Sequence, residues 1–522
     1  MAVAILSYIA VAGLALWLNR LDASGCRGRS FDVLVDGTPL LLVTLLYSTF
    51  LLMTDRSLFS GLLVIGGELL LFAVNRLKLS QFKEPLVFVD FGLFAQMLRH
   101  PRFYFPYIFP LPVVLAVSGL AALMALLYWV QPPLRAEGEW FPKTLLVLSL
   151  AVAGFVGFCF TGEGRRRVRA WVARRKPSFD PNADFARFGL TGSLLLHFLA
   201  YVHREGRDGD AGPIPADERS AHCVWPEEAL GDIPDPKPHV VLVQAESFFD
   251  IRRVDPAIDR NLFANYDRLA GEGVSGRMHV SAHGAYTMRT EFSVLTGIPN
   301  NALGSDGMNP YLTASRRRVW SLASHFKSQG YRCICVHPYD LRFFRRDKVI
   351  PNLGFDELHG EGVFDSTRRF GPYISDDALA GHILDLLDKS EVPVFVFAVT
   401  IEAHGPWDKE RFESTGVDRQ SLGVPHWADD GFAAYLAHLR NTDLMLGRLA
   451  ADRTGDSRPR VVAMYGDHVG CVPENRCPEP DTDYLVWSDS EAGTSRKDIR
   501  AEEIGRVVLE VSRKAMKMGK DV

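Results

Sequence analysis

The sequence predicts an N-terminal α-helical transmembrane bundle followed by an α/β domain, in which helices flank a central, mostly parallel sheet. Residues 1–160 contain long apolar runs that are almost free of charge, as membrane helices require. From about residue 236, β-branched apolar runs alternate with helical patterns, which is typical of a parallel sheet covered on both faces. At 522 residues, the chain is also too long for one ordinary domain.

Five apolar runs have about the length needed to cross a bilayer. They are residues 2–18, 39–53, 58–74, 107–130 and 144–160. No basic segment precedes the first run and no Ala-x-Ala site follows it, so the pattern favours a span over a signal peptide. Glu68 lies inside the third run, where it faces either a lipid path or a polar contact within the bundle. We therefore predict a transmembrane region over residues 1–162 with about five spans.

The basic residues conflict with the simplest topology. If the N-terminus lies inside and five spans follow, most loop Arg and Lys residues lie outside, including the run "GRRRVRAWVARRK" at residues 164–176. This is the reverse of the positive-inside rule. A sixth, short span at residues 188–202 would remove the conflict, and so would a basic helix lying on the membrane surface. Both alternatives keep the C-terminal domain outside, whereas the charge rule applied to five spans places that domain in the cytoplasm.

Four apolar runs in the second part are typical of buried strands. They lie in "HVVLVQAESFF", "YRCICVHPYD", "VPVFVFAVTIEAHGPW" and "PRVVAMYGDHVG", with helical patterns between them. We predict an extracytoplasmic domain over residues 236–522, joined to the membrane region by a basic interfacial or linker segment over residues 163–235. The net charge of −4 does not indicate a nucleic-acid partner, which would favour an excess of basic residues.

Side chains that can do chemistry follow each of these strands. They are Glu246 after the first strand, His337 after the second, Glu402 and His404 after the third, and Asp467 and His468 after the fourth. In open α/β sheets, ligands bind beyond the carboxyl ends of the strands, so these groups are expected at one edge. A mixed set of carboxylate oxygens and imidazole nitrogens suits Mn²⁺ or Zn²⁺.

The stretch "AHGAYTMRTEF" at residues 282–292 places two hydroxyls, Thr287 and Thr290, before a helical pattern. Threonine is a frequent helix cap, so a structural role is one explanation. A nucleophilic role is the other, and these residues by themselves leave the choice open.

Several motifs together resemble a known family. The segments "QAES", "GAYTMRTEFSVLTG", "HPYDLRFFRRD", "EAHGPW" and "YGDH" occur in this order behind a multi-span N-terminus. This arrangement resembles the sulfatase-like branch of the alkaline phosphatase superfamily. It is most similar to lipoteichoic acid synthases and to the membrane phosphoglycerol transferases that modify periplasmic glucans. The resemblance covers residues 236–490 motif by motif and the membrane region in layout only. It implies a sulfatase-like α/β fold and an exported catalytic domain.

The resemblance also implies roles for individual residues. Thr287 would be the nucleophile, with Thr290 a helix-cap or packing residue. Arg346 and His404 match positions that hold the phosphoryl and glycerol groups, with His337 a weaker third, and a guanidinium suits such a role because it can bind two phosphate oxygens at once. One divalent metal ion, Mn²⁺ before Zn²⁺ or Mg²⁺, would be held by Glu246, Thr287, Asp467 and His468.

Two departures from the family pattern concern the head group. Phe344 stands where the synthases have a Trp, and Tyr339 and Asp340 stand where their pocket has an Asp. These differences leave the recognition of glycerol open.

The function implied by the resemblance is a two-step transfer at the bacterial inner membrane. Phosphatidylglycerol would donate phosphoglycerol to the threonine, and a periplasmic or cell-surface glycan would then accept it. Three alternatives remain: a phosphoethanolamine transferase, a hydrolase of the sulfatase or phosphodiesterase type, and a sensor or scaffold that has lost the chemistry. Cys471 and Cys477 either form a small disulfide loop in an oxidising compartment or remain reduced.

We predict that residues 236–522 lie outside the cytoplasmic membrane. Fusing alkaline phosphatase to the C-terminus tests this, because that enzyme matures only after export, and a cytoplasm-only fluorescent protein at the same position is the control. We expect phosphatase activity without fluorescence. Fluorescence without phosphatase activity would contradict an exported domain.

Overall fold

The computed structural model separates the chain into two compact units, residues 1–212 and 213–522. The structure describes residues 2–22, 35–92, 111–134, 140–203, 219–281, 284–451, 458–470, 481–490 and 493–515. Cys471 and Cys477 therefore lie outside the described residues, and their pairing stays a prediction.

The first unit is helical throughout its described elements. Its helices are α1 (Ala2–Asp22), α2 (Gly37–Thr54), α3 (Ser57–Phe82), α4 (Leu111–Val130), α5 (Trp140–Cys159), α6 (Gly162–Arg175) and α7 (Pro181–Val202). The five predicted spans correspond to α1–α5, and the possible sixth span lies within α7. Among the described residues, α1, α2, α3 and α7 are long and apolar enough to cross a membrane. The total number of spans and their orientation remain predictions.

The basic run forms helix α6. The Thr161 side chain caps its N-terminus by accepting a hydrogen bond from the backbone nitrogen of Gly164 at 3.2 Å. Its apolar residues Val168, Trp171 and Val172 pack with residues of α7. Arg166 and Arg167 of α6 have exposed side chains and both pair with Glu163 in the first turn.

The second unit contains one large sheet and a small two-stranded one. The strands are β1 (His239–Ala245), β2 (Val274–His279), β3 (Arg332–Val336), β4 (Glu357–His359), β5 (Arg369–Phe370), β6 (Tyr373–Ile374), β7 (Val394–Val399), β8 (Arg460–Gly466), β9 (Asp481–Ser488), β10 (Ser495–Arg496) and β11 (Ile499–Arg500). The large sheet has the order β10–β2–β9–β8–β1–β7–β3–β4, with β11 also paired to β2. Its strands pair in parallel except where β9 pairs with β2 and β8. The predicted mostly parallel sheet is confirmed.

Helices and apolar packing surround this sheet. They are α8 (Ala264–Glu272), α9 (Thr287–Thr296), α10 (Tyr311–Ala314), α11 (Leu322–Ser328), α12 (Arg346–Asn352), α13 (Asp376–Asp388), α14 (Lys409–Thr415), α15 (Asp430–Ala451) and α16 (Ile504–Lys514). Strands β1, β7 and β8 are buried along their whole length. This agrees with the near-continuous apolar runs that parallel strands require.

The register of the central strands decides where the polar groups emerge. Ala245 pairs with Gly466, and Gln244 pairs with Val399. The residues that follow these positions on β1, β8 and β7 therefore emerge side by side at the carboxyl edge of the sheet.

The segment before β1 packs into the second unit. The Trp225 indole nitrogen donates to the Glu502 carbonyl at 2.6 Å, and the Val224 backbone nitrogen donates to the Gly297 carbonyl at 2.9 Å. Gly297 has φ 68° and lies against the Trp225 ring, so a larger residue there would be strained and would also collide with the indole. These contacts place part of the predicted linker against the α/β domain.

Candidate active site

Two buried carboxylates face each other at the carboxyl ends of adjacent strands. Glu246 follows β1 and Asp467 follows β8, and neither is more than 5% exposed. Asp467 Oδ1 accepts hydrogen bonds from the backbone nitrogens of Ser247 and His468, each at 2.9 Å. Gly466 permits this approach, because a Cβ there would lie 1.7 Å from the Phe248 carbonyl oxygen. The turn after β1 and the turn after β8 thus hold each other in place.

His468 completes a group of possible metal ligands. Its Nδ1 bonds to the Val469 carbonyl oxygen at 3.1 Å, so the neutral ring carries its proton there and presents a lone pair at Nε2. That Nε2 lies 3.5 Å from Glu246 Oε1 and 3.4 Å from Asp467 Oδ2. One ligand atom from each of the three residues lies within 4.8 Å of the others.

The electrostatics of this group call for a cation. Burial and the neighbouring Glu246 charge raise the pKa of Asp467 to about 7. Burial would lower the pKa of His468, but Asp467 and Glu246 raise it to about 9. Asp467 Oδ2 accepts no hydrogen bond of regular geometry among the described residues. Two buried acids that hold a proton on the imidazole between them fit a site in which a divalent metal ion would replace that proton and bind Nε2.

Thr287 is the first residue of α9 and is 7% exposed. Its hydroxyl is close enough to Asp467 to lower the pKa of that carboxyl. The preceding residue, Tyr286, adopts φ 62°, a left-handed conformation that is uncommon outside glycine. Strained backbone of this kind is found at functional sites, where the surrounding structure enforces it.

Thr290 has a different environment. It is fully buried, and its hydroxyl donates to the Asp467 carbonyl oxygen at 2.8 Å. Since α9 begins at Thr287 after Tyr286, Thr290 does not cap the helix; of the two predicted roles, it has the packing one.

Arg346 lies in a buried network rather than in an open pocket. Its Nη2 donates to Glu291 Oε2 at 2.7 Å, and its Nε lies 3.2 Å from both Glu291 oxygens. Tyr311 donates its hydroxyl to the same carboxylate, and Gln244 donates an amide proton to it at 3.2 Å. Glu291 was not predicted as a site residue. The available signal was an acid in a helical stretch, "TEFSVL", that carries no other charged residue.

His337 follows β3 and lies beside the Arg346 network. His404 follows β7 and lies near the Glu246 carboxylate. His337 Nδ1 bonds to the Val399 carbonyl oxygen at 3.0 Å, and its Nε2 lies 3.4 Å from Arg346 Nη1. Burial and the Arg346 charge lower the pKa of His337 to about 3, so this ring is neutral. His404 and Glu246 are close enough for each to shift the pKa of the other, and burial lowers the pKa of His404.

Glu402 has no part in the ligand group, although it also follows a strand. Its carboxylate binds His438, Asn441 and the backbone nitrogen of Asp376 at 3.0, 2.9 and 2.7 Å. Burial is the main cause that raises its pKa to about 7. Position at a strand end therefore does not by itself make a residue part of the site.

A sequence model of the sulfatase family matches residues 238–499, just over half of the chain and the whole of the strand-end cluster. The chain belongs to the sulfatase family. This confirms the resemblance to the sulfatase-like branch of the alkaline phosphatase superfamily.

The chain is similar in sequence to three bacterial proteins that act in polysaccharide synthesis, glucan modification and phosphoglycerol transfer. The capsular polysaccharide biosynthesis protein RkpI of Rhizobium meliloti is 28% identical over 471 residues, which cover 88% of this chain and 82% of that protein. A putative cyclic beta-1,2-glucan modification protein of the same organism is 27% identical and covers 48% of this chain and 42% of that protein. Phosphoglycerol transferase I of Shigella boydii is 22% identical and covers 58% of this chain and 46% of that protein. The chain thus spans less than half the length of the last two relatives.

A solved structure extends the similarity to both units. The integral membrane lipooligosaccharide phosphoethanolamine transferase A from Neisseria meningitidis covers 98% of this chain and 95% of its own, with a TM-score of 0.55 and 11% identity. At this identity the likeness concerns the fold alone. It confirms the predicted order of a helical membrane region followed by a sulfatase-like α/β domain.

We predict that Asp467→Asn abolishes binding of about one Mn²⁺ per chain without unfolding the protein. The amide keeps an oxygen for the two backbone donors, and it removes the repulsion between Asp467 and Glu246. The metal-free variant should therefore melt no lower than the metal-free parent. Metal analysis by mass spectrometry and thermal unfolding of the full chain provide the two readouts.

Asp483→Asn is the matched control, because Asp483 is also buried but pairs with Arg253 at 3.0 Å, away from the ligand group. We expect this control to lose stability and to keep its metal, since it leaves a guanidinium without its carboxylate. Unchanged metal content in Asp467→Asn would contradict the ligand assignment.

Proposed function

We propose that the protein transfers phosphoglycerol from phosphatidylglycerol to a periplasmic or cell-surface glycan, through an intermediate in which the group is attached to Thr287. The observation that carries this proposal is the Thr287 hydroxyl beside Asp467, within a buried group of acids and an imidazole. The relatives that act in capsular polysaccharide biosynthesis, glucan modification and phosphoglycerol transfer support the substrate classes.

Glu246, Asp467 and His468 would hold the divalent metal, with Thr287 as the fourth ligand. A threonine hydroxyl is a poor nucleophile at neutral pH until a metal or a base lowers its pKa. The bound ion would supply that activation and would offset charge on the phosphoryl oxygens. Mn²⁺ is our first choice, and Zn²⁺ or Mg²⁺ would satisfy the same oxygen-rich set.

In the first step, Thr287 Oγ attacks phosphorus and the bond from phosphorus to the diacylglycerol oxygen breaks. The diacylglycerol oxygen takes up the proton that Thr287 loses, and diacylglycerol leaves. In the second step, a glycan hydroxyl attacks phosphorus, the bond to Thr287 breaks, and Thr287 regains a proton. Each step exchanges one phosphate ester for another, so no water or further reactant is consumed.

His404 is suited to hold the proton of the attacking glycan hydroxyl. Its Nδ1 bonds to the Gly405 carbonyl oxygen at 2.7 Å, which fixes the neutral tautomer with Nε2 as an acceptor. Because burial lowers its pKa, the ring is neutral at pH 7 and can accept a proton there.

Arg346 can still bind the donor while it pairs with Glu291. A guanidinium has five N–H groups, and the contacts to Glu291 and His337 use the Nε proton and one proton on each terminal nitrogen. Among the described residues, one N–H on each terminal nitrogen has no partner. In the proposed complex, these two N–H groups would donate to two oxygens of a phosphoryl or glycerol group.

The charge balance favours a glycerol head group over an ethanolamine one. An ammonium group needs a carboxylate that is not already neutralised. In the described site, two carboxylates belong to the ligand group, and the others are engaged with cationic or imidazole partners. Glu291 is paired with Arg346 and Asp340 with Arg342, whereas Glu402 is buried and accepts hydrogen bonds from the neutral His438 ring and from Asn441.

The membrane helices fit a lipid donor. Helices α1, α2, α3 and α7 would hold the chain in the bacterial inner membrane, with the α/β domain on the periplasmic side. A site held at that surface would meet the head group of phosphatidylglycerol without removing the lipid from the bilayer.

We predict that Thr287→Ala eliminates transfer, since removing a covalent nucleophile costs about 10⁶-fold in rate. Thr290→Ala is the control on the same helix, and it should keep most of the activity while losing about 1 kcal/mol of stability with its hydrogen bond. When the full chain receives phosphatidylglycerol without a glycan, acid quench and mass spectrometry should find a glycerophosphate adduct on Thr287.

Three outcomes would count against this function. An active Thr287→Ala protein or an adduct on Thr290 would contradict the nucleophile. A phosphoethanolamine adduct from a mixed lipid donor would contradict the head group. Rapid release of free glycerophosphate into water in the presence of glycan would indicate a hydrolase.

A further inference from the structure

The loop after β7 carries His404, and its backbone is bound by one arginine. Arg411 lies in α14 and is 6% exposed. Its Nη1 donates to the carbonyl oxygens of His404 and Pro406 at 2.6 and 2.8 Å, and its Nη2 donates to the Glu402 carbonyl oxygen at 2.6 Å. Three backbone carbonyls within five residues of chain therefore point at one guanidinium.

A buried chain of side chains orients this guanidinium. Arg411 Nε donates to His438 Nε2 at 2.8 Å, and His438 Nδ1 bonds to Glu402 Oε1 at 3.0 Å. Burial holds the pKa of His438 well below its usual range, so the ring is neutral, with its proton on Nδ1 and its lone pair facing Arg411. Glu402 and His438 are fully buried. The chain of contacts closes on itself, because Arg411 also binds the backbone of Glu402.

We propose that Arg411 is the positioning residue for His404, and that His438 and Glu402 fix Arg411 in turn. The inference rests on the proposed role of His404 at the phosphoryl group. In this arrangement Glu402, the acid of "EAHGPW", supports the imidazole of His404 and is not a metal ligand. The hydrogen bonds described for Arg411 go to backbone oxygens of the loop and to His438, so we infer that it acts on His404 through the loop.

The geometry requires an arginine. The three nitrogens of the guanidinium donate to four acceptors, whereas an ammonium is a point charge on a flexible stem. A lysine at position 411 could satisfy one or two carbonyls and would leave His438 Nε2 without its donor. The loop would then be free to shift, and a displacement of about 1 Å at a reacting group can cost about 10²-fold in rate.

A double-mutant cycle on the full-length protein tests this inference. The variants are Arg411→Met, His404→Ala and their combination, and the measured quantities are affinity for inorganic phosphate, Mn²⁺ content and turnover of phosphatidylglycerol. We expect Arg411→Met to weaken phosphate binding about tenfold at unchanged Mn²⁺ content. In the His404→Ala background the same substitution should change phosphate affinity less than about twofold, because a residue that acts through His404 has nothing left to position.

Arg419→Met is the matched control. Arg419 also binds a backbone carbonyl and a carboxylate, those of Ala428 and Asp430, and among the described residues its hydrogen bonds do not involve the His404 loop. It should keep phosphate affinity in both backgrounds. If Arg411→Met fails to fold, His438→Asn replaces it. This variant removes the acceptor of Arg411 Nε and keeps the three bonds to backbone carbonyls. We then expect a smaller loss of phosphate affinity, which should also disappear in the His404→Ala background.

The outcomes separate this inference from the proposed function. Additive losses in the cycle, or an Arg411→Met protein with parental phosphate affinity and turnover, would overturn the positioning role. Coupled losses in phosphate affinity in a protein without transferase turnover would support the positioning role and contradict the proposed function. Phosphate affinity unchanged by His404→Ala would overturn the inference directly.

Discussion

The repulsion between two buried carboxylates is the constraint on which the site depends. Glu246 and Asp467 end neighbouring parallel strands, and the pairing of Ala245 with Gly466 brings them to the same level. Nothing in the sheet can move them apart without breaking that register. Burial and this repulsion raise the pKa of Asp467 to about 7, and the two acids raise the pKa of His468 to about 9, so the pair favours a proton or another positive charge beside it. A divalent ion meets the same demand and would place its charge beside Thr287.

The remaining buried charges near the site are balanced within the protein. Glu291 takes up the charge of Arg346, and the His438–Glu402 pair faces Arg411. Removing one partner from a buried pair is strongly destabilising, because the other charge is left uncompensated. In the ligand group, by contrast, two buried acids face one imidazole. This surplus of negative charge supports the proposed metal ion there.

The sequence predicted the strands and the residues that follow them, because parallel strands and their carboxyl ends have a strong local pattern. It could not predict which strand-end groups would meet. Glu402 and Glu246 occupy similar positions in sequence, yet Glu402 turns toward α15 to bind His438, and only the packing of that helix determines this. The partner of Arg346 was missed for the same reason, since Glu291 lies 55 residues away in sequence. Thr290 was separated from Thr287 by family pattern, whereas the structure gives its reason in the bond to the Asp467 carbonyl.

The proposed transfer has two displacements at phosphorus, with Thr287 carrying the group between them. The stereochemical course at phosphorus tests this sequence of steps. Phosphatidylglycerol carrying sulfur in place of one non-bridging oxygen, in a single configuration at phosphorus, would be given to the full-length protein with a glucan acceptor. Each in-line displacement inverts phosphorus, so the account predicts net retention in the product. Net inversion would show a single direct attack by the glycan and would contradict the covalent intermediate.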